Sequence, residues 1–453
     1  MKKKYFVGMA LIASLAFSSC DNEVIYVQGD GNGQTEDVQL ITLQVDNGGD
    51  GLTTRAGRPL YSSEAKQTID KVRLWVCDNN GSDNQGKVVL IKDFNDWMGA
   101  SGSASSSDYA NGRQAELKLT GDDKLPNGKY KVYALGYHST SDYTDASLQT
   151  ITNLQVGETY TENTVLALKS EVANAEEIFA GSAEFTISDE ALKQTVVLNR
   201  QVAGAYIYVK DIPYFAGAQY LKLVASTGNN SLVLGNFANV DIANNGNNNA
   251  STNVVNGTSA KSGEYVISEI DLTNWFGTLA DGDGDGLVDN TNWTNAIDKA
   301  QDASKTTTFE KGSVFGGAFV IPFQKGSAQT LKLVLSTQSG AAETGSSVKM
   351  SWNINLPAKD LATSLTAWNG GAFAAVDSYS ETQNVYSILR NHLYSVGKRN
   401  LDNPGSGTDP DPKPDEPDPD PTPDDDPESL NNKKVLTLIV NDNWEVIHDM
   451  ELE

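Results

Sequence analysis

The segment "SVKMSWNINLP" (Ser347–Pro357) alternates apolar and polar side chains and is the clearest structural signal in the sequence. Its apolar members are Val348, Met350, Trp352, Ile354 and Leu356, and its polar members between them are Lys349, Ser351, Asn353 and Asn355. A period of two places one set on a buried face and the other in water, as in an antiparallel sheet. The segment therefore predicts a β-strand with one wet face.

Short segments of the same kind recur along most of the chain, separated by Gly, Pro and Asn turn signals. They are "VQLITLQV" (Val38–Val45), "IDKVRLWVCD" (Ile69–Asp78), "AELKLTG" (Ala115–Gly121), "GKYKVYALGYHS" (Gly128–Ser139), "ENTVLALKS" (Glu162–Ser170), "SAEFTISD" (Ser182–Asp189), "TVVLNRQVAGAYIYVKDIP" (Thr195–Pro213), "YLKLVAS" (Tyr220–Ser226), "TLKLVLS" (Thr330–Ser336) and "NVYSILRNHLYSVGKRN" (Asn384–Asn400). This pattern predicts an all-β protein of two antiparallel β-sandwich domains, divided near Asp189. The best helix candidate is short, "TNWTNAIDKAQDAS" (Thr291–Ser304).

The chain is acidic, with 59 Asp and Glu against 34 Lys and Arg and a net charge of −25. Such a surface repels nucleic acid and anionic lipid, so neither is an expected partner. Eleven of the acids lie between Asp402 and Glu428, together with nine of the 14 prolines. Repeated proline and charge favour an extended, stiff spacer. We expect it to hold the last 20 residues away from the body of the protein.

The chain begins with "MKKKYFVGMALIASLAFSSC", which has three lysines, an apolar core and then small residues up to Cys20. This pattern indicates a secretory signal, and it is too short and too abruptly polar afterwards for a stable membrane span. The Ser-Ser-Cys ending predicts a lipoprotein in which Cys20 carries acyl chains such as palmitate. An ordinary signal peptide cut nearby is the alternative. The second cysteine, Cys77, is expected to be a small buried hydrophobic residue on a strand.

Two outlying strands resemble each other, "ITLQV" (Ile41–Val45) near the start and "LTLIV" (Leu436–Val440) near the end. Each presents three apolar residues on one face, so both suit the same groove. The hypothesis is that the first strand plugs an incomplete sandwich and that the last strand of a neighbouring copy replaces it. The candidate donor residues are Val435, Leu436, Leu438, Val440, Trp444 and Val446. Because this contact runs head to tail, it generates a filament.

Release of the first strand needs a cut in the loop "GLTTRAGRPLYSS" (Gly51–Ser63). Proteases handle the bond from Arg58 to Pro59 poorly, since proline lacks an amide hydrogen and restricts the backbone. The bond from Arg55 to Ala56 is therefore the predicted cleavage site. An uncut linker between a lipid anchor and the first domain is the alternative.

At this point the chain resembles the fimbrillin family, the major subunits of type V pili of Bacteroidales. The resemblance lies in the Ser-Ser-Cys ending, the Thr-Arg-Ala loop, "LNRQVAGAYIYV" (Leu198–Val209), "RNHLYSVGK" (Arg390–Lys398) and the Trp-containing last strand. It implies two transthyretin-like sandwich domains, export as an outer-membrane lipoprotein, maturation after Arg55 by an arginine-specific protease, and polymerisation by strand exchange at the cell surface. It also implies accessory fimbrial subunits as partners and a membrane contact only through the lipid before cleavage.

The predicted organisation follows from these segments. Residues 1–20 are the signal peptide, 21–55 a propeptide with the plug strand, 56–189 and 190–400 the two sandwich domains, 401–430 the Asp/Pro linker and 431–453 the donor strand.

One local motif, "DGDGDGLVDNTN" (Asp281–Asn292), has the spacing of a calcium loop. Asp281, Asp283, Asp285 and Asp289 occupy its positions 1, 3, 5 and 9, Gly286 its sixth, and Leu287 the carbonyl position, while Asn292 stands where a bidentate Glu is usual. The motif predicts a weak structural Ca²⁺ site, with a solvated acidic turn as the alternative. No other cofactor is expected.

The sequence contains no recognisable catalytic motif. His138, His392 and His448 show neither nucleophile nor zinc spacing, and no phosphate loop or G-x-S-x-G elbow occurs. We therefore predict a shaft subunit of a fimbria and not an enzyme. Two rivals stay open: a monomeric surface lipoprotein that binds glycans or host ligands, and an accessory tip or anchor subunit of the same fimbria.

Overall fold

The computed structural model describes residues 26–27, 36–45, 69–81, 83–95, 97, 114–141, 143, 145–169, 175–188, 192–237, 254–261, 263–294, 296, 309–323, 331–340, 345–355, 365–376, 387–397, 427–431 and 435–441. Cys20, Arg55, Ala56, Trp444 and Val446 lie outside these residues, so their roles stay predictions. None of the helices within these ranges has the length and apolar character that crossing a membrane requires.

The described chain is almost entirely β-structure, as the sequence predicts. The strands of its first half are β1 (Tyr26–Val27), β2 (Glu36–Asp37), β3 (Gln39–Val45), β4 (Lys71–Asp78), β5 (Val88–Phe94), β6 (Gln114–Leu119), β7 (Gly128–Tyr137), β8 (Thr164–Ala167), β9 (Phe179–Ile187) and β10 (Leu192–Arg200). Seven of them form one sheet in the order β5-β4-β7-β9-β10-β3-β6, while β1 and β2 pair with each other.

The second half supplies the remaining strands. These are β11 (Ala203–Lys210), β12 (Tyr220–Ala225), β13 (Asn229–Leu234), β14 (Val254–Val255), β15 (Gly257–Ala260), β16 (Tyr265–Asp271), β17 (Val314–Val320), β18 (Leu331–Ser336), β19 (Val348–Asn355), β20 (Leu365–Trp368), β21 (Phe373–Val376), β22 (Leu393–Val396), β23 (Glu428–Ser429) and β24 (Val435–Asn441). A large sheet runs β16-β12-β18-β19-β24-β22-β11-β17, with β23 paired to β11. Two small sheets run β15-β13-β8 and β14-β20-β21.

Helical structure is sparse among the described residues. There are two short α-helices, α1 (Asp145–Thr152) and α2 (Thr273–Phe276), and three 3₁₀ turns, Gly121–Asp123, Asn290–Asn292 and Gly345–Ser347. The predicted helix from Thr291 appears only as the turn at Asn290–Asn292, and its residues 297–304 lie outside the described part.

Strand β4 of the first sheet buries apolar residues on both of its faces. In β4, Val72, Leu74 and Val76 enter one apolar cluster, whereas Trp75 and Cys77 enter another. The first cluster also takes Leu117 from β6, which lies near the opposite edge of the sheet. The sheet therefore folds over on itself around this cluster.

The two halves share structure at their junction. Strand β8 from the first half pairs antiparallel with β13 from the second, and the second apolar cluster of the first sheet also contains Val202, Leu232 and Ile321. The change from one large sheet to the other occurs after Arg200, since β10 still belongs to the first sheet. The predicted division near Asp189 therefore precedes the last strand of the first sheet, and the domain boundaries stay predictions.

Strand β19 matches its sequence pattern. Trp352 and Ile354 are buried, whereas Lys349, Ser351 and Asn353 are exposed. Trp75, Trp275 and Trp352 are all buried core residues.

Candidate functional site

The predicted plug strand, β3, is an interior strand of the first sheet. It runs parallel to β10, with Gln39 opposite Leu192 and Val45 opposite Leu198. On its other side it runs antiparallel to β6, with Gln39 opposite Leu119 and Gln44 opposite Gln114. Loss of β3 would therefore separate β10 from β6 by two strand spacings, roughly 10 Å.

The inward face of β3 is completely buried. Ile41 and Leu43 are both 0% exposed and belong to the core of the first sheet. Burial of each side chain contributes about 1.5–3 kcal/mol relative to exposure. The position that β3 occupies is therefore both a gap in the hydrogen-bonded ladder and an apolar slot.

A polar residue continues this inward face. Gln39 is 1% exposed, two residues before Ile41. Its Nε2 donates to the Leu125 carbonyl at 2.8 Å, and its Oε1 accepts the Leu125 N–H at 2.8 Å. Gln39 was not among the residues predicted from the sequence, although extending the alternation of Ile41 and Leu43 backwards places it inside.

The predicted donor segment forms β24 and lies in the second large sheet of its own chain. Val435–Thr437 run parallel to β19 at Asn353–Asn355, and Leu438–Asn441 run antiparallel to β22 at Leu393–Val396. The side chain of Leu436 is buried in the core there. The expectation that the spacer holds the tail away from the body is therefore wrong for this structure. The tail instead pairs with strands β19 and β22 of its own chain.

The plug and the donor segment therefore occupy different sheets within one chain. Each is a seven-residue strand. In the described structure, every residue from Gln39 to Gln44 pairs on both sides, whereas each residue of β24 pairs on one side only. The tail strand β24 therefore has fewer pairing partners than β3.

The acidic loop keeps the geometry of its motif. The carboxylates of Asp281, Asp283 and Asp285 offer oxygens within 4.8 Å of one another. Asp281 accepts the N–H groups of Gly284 and Gly286, at 2.8 and 3.1 Å. Gly286 has φ +86°, which suits the sharp turn at the sixth position. These observations leave the calcium site a prediction.

The other predicted ligands lie around the same loop. Asp289 Oδ2 accepts the Gly282 N–H at 2.8 Å, and Leu287 lies opposite Pro213 in an isolated bridge. Asn292 ends the 3₁₀ turn that follows. Most of the predicted helix after the loop, from residue 297 onward, lies outside the described residues.

Comparisons with known proteins bear on the part of the chain that holds the plug slot. Residues 41–222 match the family model described as Mfa2, fimbrillin-A associated anchor proteins Mfa1 and Mfa2. Residues 41–222, the fimbrillin segment, are therefore similar to that family. The matched span of this fimbrillin segment runs from Ile41 in β3 to Lys222 in β12.

Solved structures similar to the chain include two fimbrial proteins. The fimbrial anchor protein Mfa2 from Porphyromonas gingivalis is 12% identical, with a TM-score of 0.30, over 78% of this chain and 99% of that one. A fimbrial assembly protein from Parabacteroides distasonis is 13% identical, with a TM-score of 0.30, over 80% and 90%. The comparison with curated proteins gave no match.

Two buried charges that sequence reasoning missed lie where the fimbrillin segment meets the rest of the chain. Arg200, the last residue of β10, is 0% exposed and pairs with Glu177 just before β9. Arg390, from the "RNHLYSVGK" segment, donates to Gln201 Oε1 at 3.2 Å and to the Gly235 carbonyl at 2.9 Å. Burial lowers the pKa of the Arg390 guanidinium to about 10. These groups fasten the second half of the chain to the fimbrillin segment.

The two described histidines have local partners. His138 Nδ1 lies 2.9 Å from the hydroxyl of Thr140, at the exposed end of β7. His392 is buried, with Nδ1 2.8 Å from the Arg390 carbonyl. Both contacts are structural, and His448 lies outside the described residues.

Proposed function

We propose that this chain is a fimbrial subunit that is exported as a lipoprotein through Cys20 and cut after Arg55. It then joins its neighbours at the cell surface by strand exchange. The observation that carries the proposal is the position of β3. It is an interior strand, it contributes two fully buried side chains to the core, and it lies ahead of the Arg55 loop in the sequence. Cleavage there would cut the covalent link between β3 and its sheet.

An empty slot must be filled. It exposes the edges of β10 and β6 together with apolar surface, and such surfaces pair readily with a further strand. The tail supplies a strand of matching length and apolar pattern. Its one-sided pairing within its own sheet supports its release, because a place in the slot would offer partners on both sides.

The strand from a second copy is therefore the proposed occupant. The role is structural and adhesive, and needs no catalysis. The partners are other copies of this chain, accessory fimbrial subunits and an arginine-specific protease, and the membrane is contacted only through the lipid on Cys20.

Shaft and anchor roles make different use of the slot. The shaft reading rests on the chain having both a cleavable loop and a tail. The anchor reading is favoured by the family description, which names anchor proteins. An anchor needs its slot filled by another subunit or keeps β3, whereas a shaft subunit both donates and accepts.

Treatment of purified precursor with an arginine-specific protease tests the proposal. We expect a new N-terminus at Ala56 and ladders that resist SDS. Arg55→Ala should abolish both, whereas Arg58→Ala, in the same loop, is the matched control and should leave them intact. Deletion of the residues after Leu430 should keep the cut and remove the ladders.

The same experiment separates the roles. Ladders of a single protein mean a shaft subunit. A cut protein that stays monomeric but accepts a tail from another fimbrial subunit is an anchor or tip. A monomer that is indifferent to both the cut and the tail deletion would contradict strand exchange.

A further inference from the structure

The slot of β3 has a polar end as well as an apolar floor. Gln39, the first residue of β3, closes a two-bond ring with the main chain of Leu125, with both distances at 2.8 Å. Leu125 lies in the connection between β6 and β7, just after the turn at Gly121–Asp123. The two hydrogen bonds therefore tie the start of the plug strand to a loop 86 residues away in the sequence.

Both sides of this contact are shielded from water. Gln39 is 1% exposed and Leu125 is 8% exposed, and Leu125 belongs to the core of the first sheet. A buried main-chain donor or acceptor that loses its partner costs about 1–3 kcal/mol. When β3 leaves, the N–H and the carbonyl of Leu125 lose their partner together.

The contact also constrains what can replace β3. One side chain must donate to the carbonyl of Leu125 and accept from the N–H of the same residue. A carboxamide does both, and the hydroxyls of Ser and Thr are shorter. A lysine ammonium only donates, and its burial beside an apolar core is costly.

The tail does not meet this requirement. In the register that superposes Leu436 on Ile41 and Leu438 on Leu43, Lys434 takes the position of Gln39. Lys434 would satisfy the Leu125 carbonyl and leave the Leu125 N–H without a partner.

We propose that the Gln39–Leu125 contact is a latch that makes the slot select its own β3 over the tail of another copy. The inference rests on the proposed strand exchange, and it adds the residue that sets the preference. The latch keeps the plug seated in the precursor and after the cut, so that exchange is slow until the plug is pulled out or diluted away.

Peptide displacement tests the latch on the full-length protein after cleavage. Peptides of residues 36–47 are made with Gln39, Gln39→Met or Gln39→Lys, and their capture by the cut protein is measured by native mass spectrometry. Gln39→Lys leaves the Leu125 N–H unpaired and should weaken capture about tenfold, and Gln39→Met leaves both main-chain groups unpaired and should weaken it further. Leu40→Met, a half-buried residue on the opposite face, is the control and should leave capture unchanged.

A second pair of peptides tests the tail. Residues 431–442 with Lys434→Gln should be captured about tenfold better than the same peptide with Lys434. Equal capture of the three position-39 peptides would overturn the latch. If those peptides rank as expected but neither tail peptide is captured, the latch stands as a lock on β3, and strand exchange by the tail fails.

Discussion

Arg200 Nε donates to Glu177 Oε1 at 2.8 Å, and both side chains are excluded from water. The guanidinium also lies over the ring of Phe179, 4.9 Å from its centroid. Its Nη1 reaches Asn391 Oδ1 at 3.4 Å, across the change from the first large sheet to the second. The pair therefore stands where the two halves of the chain meet.

Breaking this pair should be costly. Arg200→Met leaves a buried carboxylate without its cation, and we expect the free energy of unfolding to fall by about 3–5 kcal/mol in urea titrations. The double variant Arg200→Met with Glu177→Leu should recover most of the loss, because no charge is left buried. Lys118→Met is the control, since the Lys118–Glu116 pair is exposed and contributes less than about 1 kcal/mol. Equal effects of the buried and exposed changes would refute this account.

Ile41→Ala should lower the stability of the precursor but not that of the cut protein. The cavity left by a fully buried Ile should lower the free energy of unfolding of the precursor by about 2–5 kcal/mol. After cleavage and loss of β3, the same substitution should have no effect, because the residue is gone. Leu40→Ala, half-buried on the other face, should cost clearly less in the precursor. An Ile41→Ala effect that persists after the plug has been removed would show that β3 does not leave.

Cys77 should be an unreactive thiol in the folded protein. It is 1% exposed, and burial raises its pKa from 9.0 to about 12. At pH 8 its thiolate fraction is then about three orders of magnitude below that of the unfolded chain. With Cys20→Ser removing the other thiol, a thiol reagent should react only as the protein unfolds. Fast reaction under native conditions would mean that the strand opens locally.

The same shift predicts a pH dependence of stability. Below pH 9 the thiol is protonated in both states, so it adds no slope. Above pH 9 the unfolded chain loses this proton and the folded chain does not, so stability falls as pH rises toward 12. Comparison of Cys77 with Cys77→Ala between pH 8 and pH 10.5 isolates this contribution from that of the tyrosines. A slope that is identical in the two proteins would contradict it.

The acidic loop should bind calcium weakly. A site with Asn292 at the last position, where a bidentate Glu is usual, is expected to have a Kd of about 10⁻⁴–10⁻³ M. Calorimetry should detect this binding, and Asp281→Asn with Asp285→Asn should abolish it. Asp122→Asn in the exposed turn before β7 is the control and should leave it unchanged. No heat at millimolar calcium would identify the loop as a solvated acidic turn.

The β-strands were predictable because apolar and polar residues alternate along strands that have one solvent-exposed face. Ser347–Pro357 is the clearest case, and β19 is found there. The alternation also separates the two faces of β4, although both faces are buried. The short helix α1 was missed because its eight residues, "DASLQTIT", carry few apolar positions.

The site was predictable only in part. The sequence indicates β3 and β24 as strands but not their places, because pairing between distant segments depends on the rest of the sheet. Gln39 and Arg390 were missed as buried polar groups, since their partners, such as the main chain of Leu125 and Gly235, leave no mark in the sequence. A polar residue that continues an apolar alternation was the one available signal.

Strand β3 lies between β10 and β6, which run in opposite directions. This position bears on how a fibre formed by strand exchange would respond to a pulling force. The hydrogen bonds of a ladder lie across the strands, so a strand drawn along its own length strains the whole row at once instead of peeling it pair by pair. A fibre joined through this slot would therefore resist tension strongly, because all the hydrogen bonds of the row must break together. Its two ends would also differ, which gives the fibre a single direction of growth.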